Sequence, residues 1–300
     1  VAKARDAVTG PVPSVDVGAH CSKPYECQFM DYCWPSEAEF PVMGLGGGKA
    51  KLATWVQEGY SDIRDVPSAD VTAETQQRIH RVTVSGVPEI LPGARKILEA
   101  VPYPRYYLDF ETVGPAVPIW AGTRPYAAVP FQWSCHVEHE NGDLEHAEFL
   151  DLSGEAPMRA LVEKMIECLG DTGPVLTYTN YEERVINGLI QLFPDLEASL
   201  LKIVDRLFDL HPVVKSHYYH PKMLGSWSIK AVLPCIAPHM SYAGLEGINE
   251  GTAASDGYLE AINPQTNRDR KRELEQQLLR YCRFDTEAMV EIVRVLGGSL

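Results

Sequence analysis

The chain has 300 residues, of which 45% are hydrophobic and 23% are charged, a globular composition that corresponds to about two domains. This composition excludes a mainly disordered, collagen-like or disulfide-scaffold protein, and no apolar run is long enough for a membrane-spanning helix. The net charge of −14 excludes a generally basic DNA-coating protein, but it permits a nucleic-acid enzyme with a local basic groove.

The chain begins at Val1, and its first residues lack the basic and apolar regions of a signal peptide. We therefore expect a fragment of a longer, cytoplasmic protein. Four of the seven cysteines lie apart from one another in apolar surroundings, where they are predicted to be reduced core residues: Cys135, Cys168, Cys235 and Cys282.

The other three cysteines, Cys21, Cys27 and Cys33, lie in a Cys-rich segment, residues 1–40. Three cysteines so close together, without a secretion signal, indicate a metal site rather than disulfides. Their spacing departs from the pairs of common zinc sites, which disfavours zinc, although His20 could supply a fourth zinc ligand. A reduced, metal-free loop is the alternative.

Residues 49–101 are predicted to form a helical linker, with helices at Ala73–Val82 and Gly93–Ala100. The aromatic and β-branched run Arg105–Phe110 is typical of a strand. The pattern then predicts these elements in order: a hairpin of Phe131–Glu138 and Glu145–Leu150, a helix Ala156–Leu169, a strand Val175–Tyr178, helices Tyr181–Leu192 and Leu196–Leu207, and a final helix Arg268–Leu296. This succession indicates an α/β sheet with helices on both faces.

Two acids, Asp109 and Glu111, flank Phe110 on the first of these strands. Because side chains alternate across a strand, both carboxylates point to one face. Buried carboxylates are costly unless they are paired or bind a metal, and Mg²⁺ binds carboxylate oxygens. The apolar neighbours indicate a buried strand, which favours a metal site over the alternative of a strand end where both acids meet water.

Two further groups of acids lie later in the chain. Tyr281 and Asp285 are four residues apart on the final helix and share one face, although a core tyrosine beside a surface acid is the alternative. Glu182 and Glu183 lie where a strand meets a helix. The alternative there is a capping box of Thr179 and Glu182, which could coexist with a role for Glu183.

The order of these motifs is that of the DEDD exonucleases, and residues 104–296 resemble this RNase H-like superfamily in its Tyr-type variant. The closer resemblance is to a bacterial family that fuses a RecB-like nuclease module with a cysteine cluster to an RNase H-like exonuclease domain. Four stretches carry it: YYLDFETVGPAVPIWAGTRPY, VPFQWSCH, GSWSIKAVLP and YCRFDTEAM. The second motif has Glu instead of the usual Asp, and aligning it favours Glu182 over Glu183.

The resemblance implies an RNase H-like mixed sheet flanked by helices, preceded by the Cys-rich segment and the linker. It implies a metal-dependent 3′–5′ exonuclease that hydrolyses phosphodiester bonds of DNA or RNA. Two Mg²⁺ or Mn²⁺ ions about 4 Å apart would clamp the attacking water and the leaving oxygen. The implied site residues are Asp109, bridging both ions, Glu111, Glu182 and Asp285, completing their shells, and Tyr281, orienting the water.

The resemblance also implies that Cys21, Cys27 and Cys33 are three ligands of a [4Fe–4S] cluster, whose fourth cysteine lies in the missing N-terminal nuclease module. Asp209 is a further acid of interest, and its alternative is a surface acid at a helix end.

Residues 201–230 carry five basic and two acidic side chains, against the acidic trend of the chain. Basic and aromatic side chains together can follow a phosphate backbone and stack on bases. We therefore expect the chain to bind nucleic acid, at single-stranded ends, through Lys215, Tyr218, Lys222 and Lys230. A solvated loop is the alternative for this segment. For the whole domain, the alternative function is a weak or inactive nucleic-acid-binding or scaffolding module with the same fold.

Overall fold

The computed structural model describes residues 2–12 and 14–298. These residues form two compact units. The first contains the described residues up to 89 together with Tyr219–Ser226, and the second contains Ile90–Tyr218 and the described residues from 227 onwards. The sequence suggested three consecutive segments, with 49–101 as one linker. The structure divides that segment after residue 89, because the chain beyond this point packs on helices of the second unit.

The first unit contains four helices: α1 Ala2–Thr9, α2 Met30–Cys33, α3 Lys49–Gln57 and α4 Glu74–Ser85. Leu52 and Trp55 of α3 are buried, as are Ile79 and Val82 of α4, so each helix has an apolar side. The predicted helix at 73–82 is confirmed as α4. The strand β1, Glu89–Ile90, follows it.

The segment Tyr219–Ser226 belongs to the first unit through a close backbone approach. Gly225 has a φ of +79°, and a β-carbon there would clash with the carbonyl oxygen of Gly44. Only glycine fits both the left-handed conformation and the missing space.

The second unit contains a mixed five-stranded sheet flanked by helices, as predicted. Its first helix is α5, Gly93–Glu99, and three antiparallel strands follow: β2 Arg105–Val113, β3 Val129–Glu138 and β4 Leu144–Leu150. The predicted hairpin is confirmed, because β3 and β4 pair from Gln132↔Leu150 to Glu138↔Leu144. All ten residues of β3 are buried, since helices cover both faces of the sheet.

The rest of the second unit alternates helices and short strands. Its elements up to residue 217 are α6 Met158–Leu169, β5 Val175–Thr177, α7 Tyr181–Leu192, α8 Glu197–Val204, β6 Leu207–Asp209 and α9 Leu210–His217. The short strand β7 Tyr218–Tyr219 follows, of which only Tyr218 belongs to this unit. The last elements are α10 Ile229–Ile236, α11 Gly251–Ile262 and α12 Arg268–Gly297. The sheet order is β4-β3-β2-β5-β6, with β5 and β6 parallel to β2. The predicted helix at 196–207 ends early, because residues 207–209 pair with β5 as an edge strand.

A polar seam joins the sheet to α12. The Gln132 amide donates to the Leu278 carbonyl at 2.9 Å, and the Ser134 and Thr286 hydroxyl oxygens are 2.9 Å apart. The His136 Nδ1 lies 2.8 Å from the same Thr286 oxygen. Buried hydrogen bonds of this kind are costly to leave unmade, so they fix the register of α12 on the sheet. The other face of β3 packs on α6, where the Trp133 indole donates to the Leu161 carbonyl.

Among the described residues, no helix combines the length and the apolar character needed to cross a membrane.

Candidate functional site

Strand β2 places two acids against α12. In the antiparallel register Asp109 is opposite Ser134, and Glu111 is opposite Gln132. Directly opposed side chains share a face, and this face is the one on which β3 contacts α12. A β-bulge follows Glu111, a feature common beside active sites. The sequence predicted that both carboxylates lie on one face of the strand, and the structure agrees.

Helix α12 brings three side chains to these acids: Tyr281, Cys282 and Asp285, all of them buried. The Cys282 Sγ lies 3.8 Å from the Asp109 Oδ2 atom. One potential ligand atom from each of Asp109, Glu111 and Cys282 lies within 4.8 Å of the others. The sequence predicted Cys282 only as a core residue, and its position next to Tyr281 gave no signal that its thiol meets an acid far away in the chain.

Helix α7 supplies Glu182, which is 2% exposed, whereas Glu183 is exposed to solvent. The Oε2 atom of Glu182 is buried and has no hydrogen-bond partner within the part of the chain that the structure describes. A buried carboxylate oxygen without a partner is costly, and a bound cation removes this cost. The geometry therefore favours Glu182 over Glu183 as the metal-binding acid where β5 leads into α7.

The capping box suggested for Thr179 and Glu182 is wrong. The N-cap of α7 is Asn180, and the Thr179 hydroxyl instead accepts a hydrogen bond from the Tyr181 N–H. Thr179 has a φ of +94°, a conformation rare for a β-branched residue. This turn directs Glu182 into the interior instead of back to the helix end.

Asp209 stabilises that strained turn. One of its carboxylate oxygens accepts hydrogen bonds from the Thr179 N–H and the His211 N–H, both at 2.9 Å. Asp209 is therefore half-buried and caps α9 while it holds the residue before α7. The alternative of a plain surface acid does not describe it. Its charge contributes to the raised pKa of Glu182.

Tyr242 is a site residue that the sequence did not indicate. Its buried hydroxyl donates a hydrogen bond to the Asp285 carboxylate. The Lys230 Nζ lies 5.3 Å from the Tyr242 ring centre and 5.2 Å from that of Tyr281. Tyr242 lies in a short 3₁₀ turn with no recognisable pattern, so only packing could bring it here.

Burial raises the pKa values of all four acids. For Asp109 the neighbouring charges of Asp285, Glu182 and Glu111 add to burial, and its pKa lies well above the usual range. Burial also raises the pKa of Glu111 well above its usual range, although Lys230 opposes the rise.

The other two acids follow the same pattern. Burial raises the pKa of Glu182 to about 8. The pKa of Asp285 is raised to about 6 by burial, against hydrogen bonds from Tyr242 and Tyr281 and the charge of Lys230. Four acids that repel one another in a buried cluster are stable as anions when a divalent cation lies among them. The residues thus fit a hard cation such as Mg²⁺ or Mn²⁺.

The four residues predicted to contact substrate differ in position and in exposure to solvent. Lys230 lies at the acid cluster, and Lys215 is exposed, with its Nζ 5.8 Å from the centre of the Trp227 ring. Lys222 is exposed and belongs to the first unit. Tyr218 is only 2% exposed, so its ring has no free face for a base, and the stacking role predicted for it is wrong.

The N-terminal cysteines line one cavity of about 410 Å³. His20 and the apolar side chains of Val12, Val17 and Phe29 also line it. The three cysteine Sγ atoms do not all lie within 4.8 Å of one another. A single tetrahedral zinc ion would hold thiolates about 3.8 Å apart, given Zn–S bonds of about 2.3 Å.

Comparison with known families gives one match. Residues 106–228, less than half of the chain, match the model of a domain of unknown function, DUF2779. The matched region contains Asp109, Glu111 and Glu182 and ends before Tyr281 and Asp285. Comparison with curated proteins gives no match, and neither does comparison with solved structures.

Proposed function

We propose that the second unit is a metal-dependent nuclease, an RNase H-like 3′–5′ exonuclease that hydrolyses phosphodiester bonds of DNA or RNA. The observation that carries this proposal is the cluster of half-buried Asp109 with buried Glu111, Glu182 and Asp285, in which one oxygen of Glu182 has no partner among the described residues. The mixed sheet, with its antiparallel strands followed by two parallel ones, also supports the resemblance to RNase H-like enzymes.

In this mechanism the four acids would hold two divalent cations. When bound, these cations supply Lewis-acid stabilisation of the attacking and leaving oxygens. Asp109 would bridge both cations, and one of its ligand atoms lies within 4.8 Å of one from Glu111. Tyr281 would hold the attacking water through its hydroxyl. Tyr242 would keep Asp285 in place, and Lys230 would offset part of the negative charge and attract the phosphate.

The decisive test is cleavage of end-labelled DNA and RNA oligomers, single- and double-stranded, with Mg²⁺ or Mn²⁺ and with EDTA. We expect shortening from the 3′ end of single strands that stops with EDTA. Tight binding of the same oligomers without cleavage, whichever metal ion is added, would contradict the proposed enzymatic activity. It would favour the alternative, a non-catalytic nucleic-acid-binding or scaffolding module.

Replacing each glutamate of α7 separates the two candidate acids. Glu182→Gln should lower cleavage by about 10²-fold or more, because it removes a charged metal ligand from a buried site. Glu183→Gln should stay within about twofold of wild type, because Glu183 is exposed. The measurement is the initial rate on a single-stranded oligomer at saturating Mn²⁺. The reverse pattern would move the site to Glu183.

Replacing Tyr281 and replacing Tyr242 should change different kinetic quantities. Tyr281→Phe should lower kcat by about 10²-fold with little change in metal affinity, since only the hydroxyl that orients water is lost. Tyr242→Phe should weaken metal binding by about 10-fold or more, because Asp285 loses its hydrogen-bond donor. Metal titrations of the cleavage rate measure both effects. Wild-type rates for Tyr281→Phe would rule out a Tyr-type mechanism.

We further propose that Cys21, Cys27 and Cys33 bind a metal centre, an iron–sulfur cluster in preference to zinc. The support is their shared cavity and their spacing. The side chain of His20 lines the same cavity and would be a fourth donor for zinc. None of the seven cysteines, all of which the structure describes, forms a disulfide, which supports a reducing compartment such as the cytoplasm.

The proposed metal centre can be tested by analysing the metal content of cysteine variants. Protein purified without oxygen should contain iron and sulfide and should lose both on Cys27→Ser, whereas Cys168→Ser should retain them. Because the cysteines and the acid cluster belong to separate units, nuclease activity should survive the loss of the centre. Metal analysis that finds neither iron nor zinc would leave the three cysteines as packing residues.

A further inference from the structure

The thiol of Cys282 is the one group of the acid cluster that the proposed reaction does not use. Its side chain is fully buried, and its Sγ lies 3.8 Å from both the Oδ2 atom and the main-chain oxygen of Asp109. Together with Glu111 these groups bring one sulfur and two carboxylates within 4.8 Å of one another. A buried cysteine that serves only for packing needs no carboxylates beside it.

The spacing corresponds to two ligands of one thiophilic ion. With Zn–S bonds of about 2.3 Å and Zn–O bonds of about 2.1 Å, tetrahedral zinc places a sulfur and an oxygen ligand about 3.6 Å apart. The observed separation between the Cys282 Sγ and the Asp109 Oδ2 is 3.8 Å. Mg²⁺ takes oxygen ligands and gains little from a thiol, whereas Zn²⁺ and Cd²⁺ bind sulfur well.

A second observation points to a ligand at the same place. The Oε2 atom of Glu182 is buried without a hydrogen-bond partner, and the side chain is only 2% exposed. The hydroxyl of its neighbour Tyr181 is hydrogen-bonded to the hydroxyl of Thr112, so α7 begins beside the part of β2 that carries Glu111. This unpartnered acid at the same end of the sheet indicates a bound cation there. Asp109, Glu111 and Cys282 supply three protein ligands, and a water completes a four-coordinate zinc ion.

We propose that Asp109, Glu111 and Cys282 form a mixed oxygen–sulfur site for a thiophilic divalent cation such as Zn²⁺. Binding forms a metal–sulfur bond and releases the thiol proton to solvent. Because this ion occupies acids that the proposed function assigns to Mg²⁺ or Mn²⁺, it inhibits cleavage. The inhibition rests on the proposed function, whereas the binding does not.

The test compares wild type with Cys282→Ser and with Cys168→Ser, a cysteine of α6 on the opposite face of the sheet. Co²⁺ serves as the spectroscopic probe, because a cobalt–thiolate bond gives a charge-transfer band. Wild type and Cys168→Ser should show equal bands, and Cys282→Ser should show a smaller one. The difference spectrum cancels the contribution of the N-terminal cysteines. Zn²⁺ affinity at this site, from competition against Co²⁺, should fall by about 10-fold or more in Cys282→Ser.

Equal cobalt spectra and equal zinc affinities for all three proteins would overturn the proposal. If Cys282→Ser does not fold, Cys282→Ala and the metal-binding variant Asp109→Asn provide the same comparison, and each should lower the band. In the cleavage assay, the zinc concentration that halves each protein's own Mn²⁺-dependent rate should rise by about 10-fold in the Cys282 variant. A cobalt band that depends on Cys282 in a protein without cleavage would support the metal site and contradict only the nuclease.

Discussion

Asp109→Asn is expected to abolish metal-dependent cleavage, with a loss of about 10³-fold or more. The proposed mechanism assigns Asp109 to both ions, and one of its ligand atoms lies within 4.8 Å of one from Glu111, so the substitution removes the bridging ligand. A metal ion contributes several kcal/mol to stabilising the transition state, and each 1.4 kcal/mol is a factor of ten in rate. Asn has nearly the same shape, so the fold should remain intact.

The measurement is the single-turnover rate on an end-labelled oligomer, with circular dichroism to check the fold. Asp256→Asn is the matched control, because Asp256 is an exposed acid of α11, and it should retain the wild-type rate. A folded Asp109→Asn protein that cleaves at the wild-type rate, purified free of contaminating nuclease, would refute the mechanism.

The second large effect is on the free energy of unfolding, and here the substitution is expected to increase the measured quantity. Without metal, Glu182→Gln should stabilise the protein at pH 8. The pKa of Glu182 is about 8 in the folded protein, against an ordinary value of 4.5. Between these two pH values the folded state keeps a proton that the unfolded state has released, so rising pH costs folding free energy.

The size of this effect follows from the pKa difference. A shift of one pKa unit corresponds to 1.36 kcal/mol, so the cost at pH 8 is about 3 to 5 kcal/mol. Gln carries no charge and avoids the cost. The stability advantage of Glu182→Gln should therefore be small at pH 5, grow as the pH rises, and level off above pH 8.

Urea unfolding in EDTA at several pH values measures the prediction. Glu183→Gln should stay within about 0.5 kcal/mol of wild type throughout, because that side chain is exposed. Adding Mn²⁺ at pH 8 should stabilise wild type more than Glu182→Gln, since the cation binds the folded state of the intact cluster. A Glu182→Gln protein less stable than wild type at pH 8 would show that the carboxylate is satisfied in some other way.

Local rules were enough to predict much of the second unit. The two-residue period of a strand put Asp109 and Glu111 on one face, and the four-residue spacing put Tyr281 and Asp285 on one side of a helix. The hairpin of β3 and β4 was equally readable. Each of these features depends on residues within a few positions of one another, which the sequence states directly.

Local rules failed where a short segment took its conformation from distant partners. Residues 207–209 follow a helical pattern, yet they form the edge strand β6 because β5 offers unpaired backbone groups. Thr179 and Glu182 match the spacing of a capping box, yet Asp209 holds Thr179 at positive φ and the box does not form. Tertiary hydrogen bonds outweighed local preference in both cases.

The sequence by itself determined the α/β class of this protein, the order of its acidic motifs and the faces on which those acids lie. Only the tertiary structure decided which side chains complete the cluster. Tyr242 and Cys282 meet Asp285 and Asp109 there, and Tyr218 turns into the core. The reason is that periodicity fixes the direction of a side chain on its own element, whereas its neighbours depend on how separate elements pack.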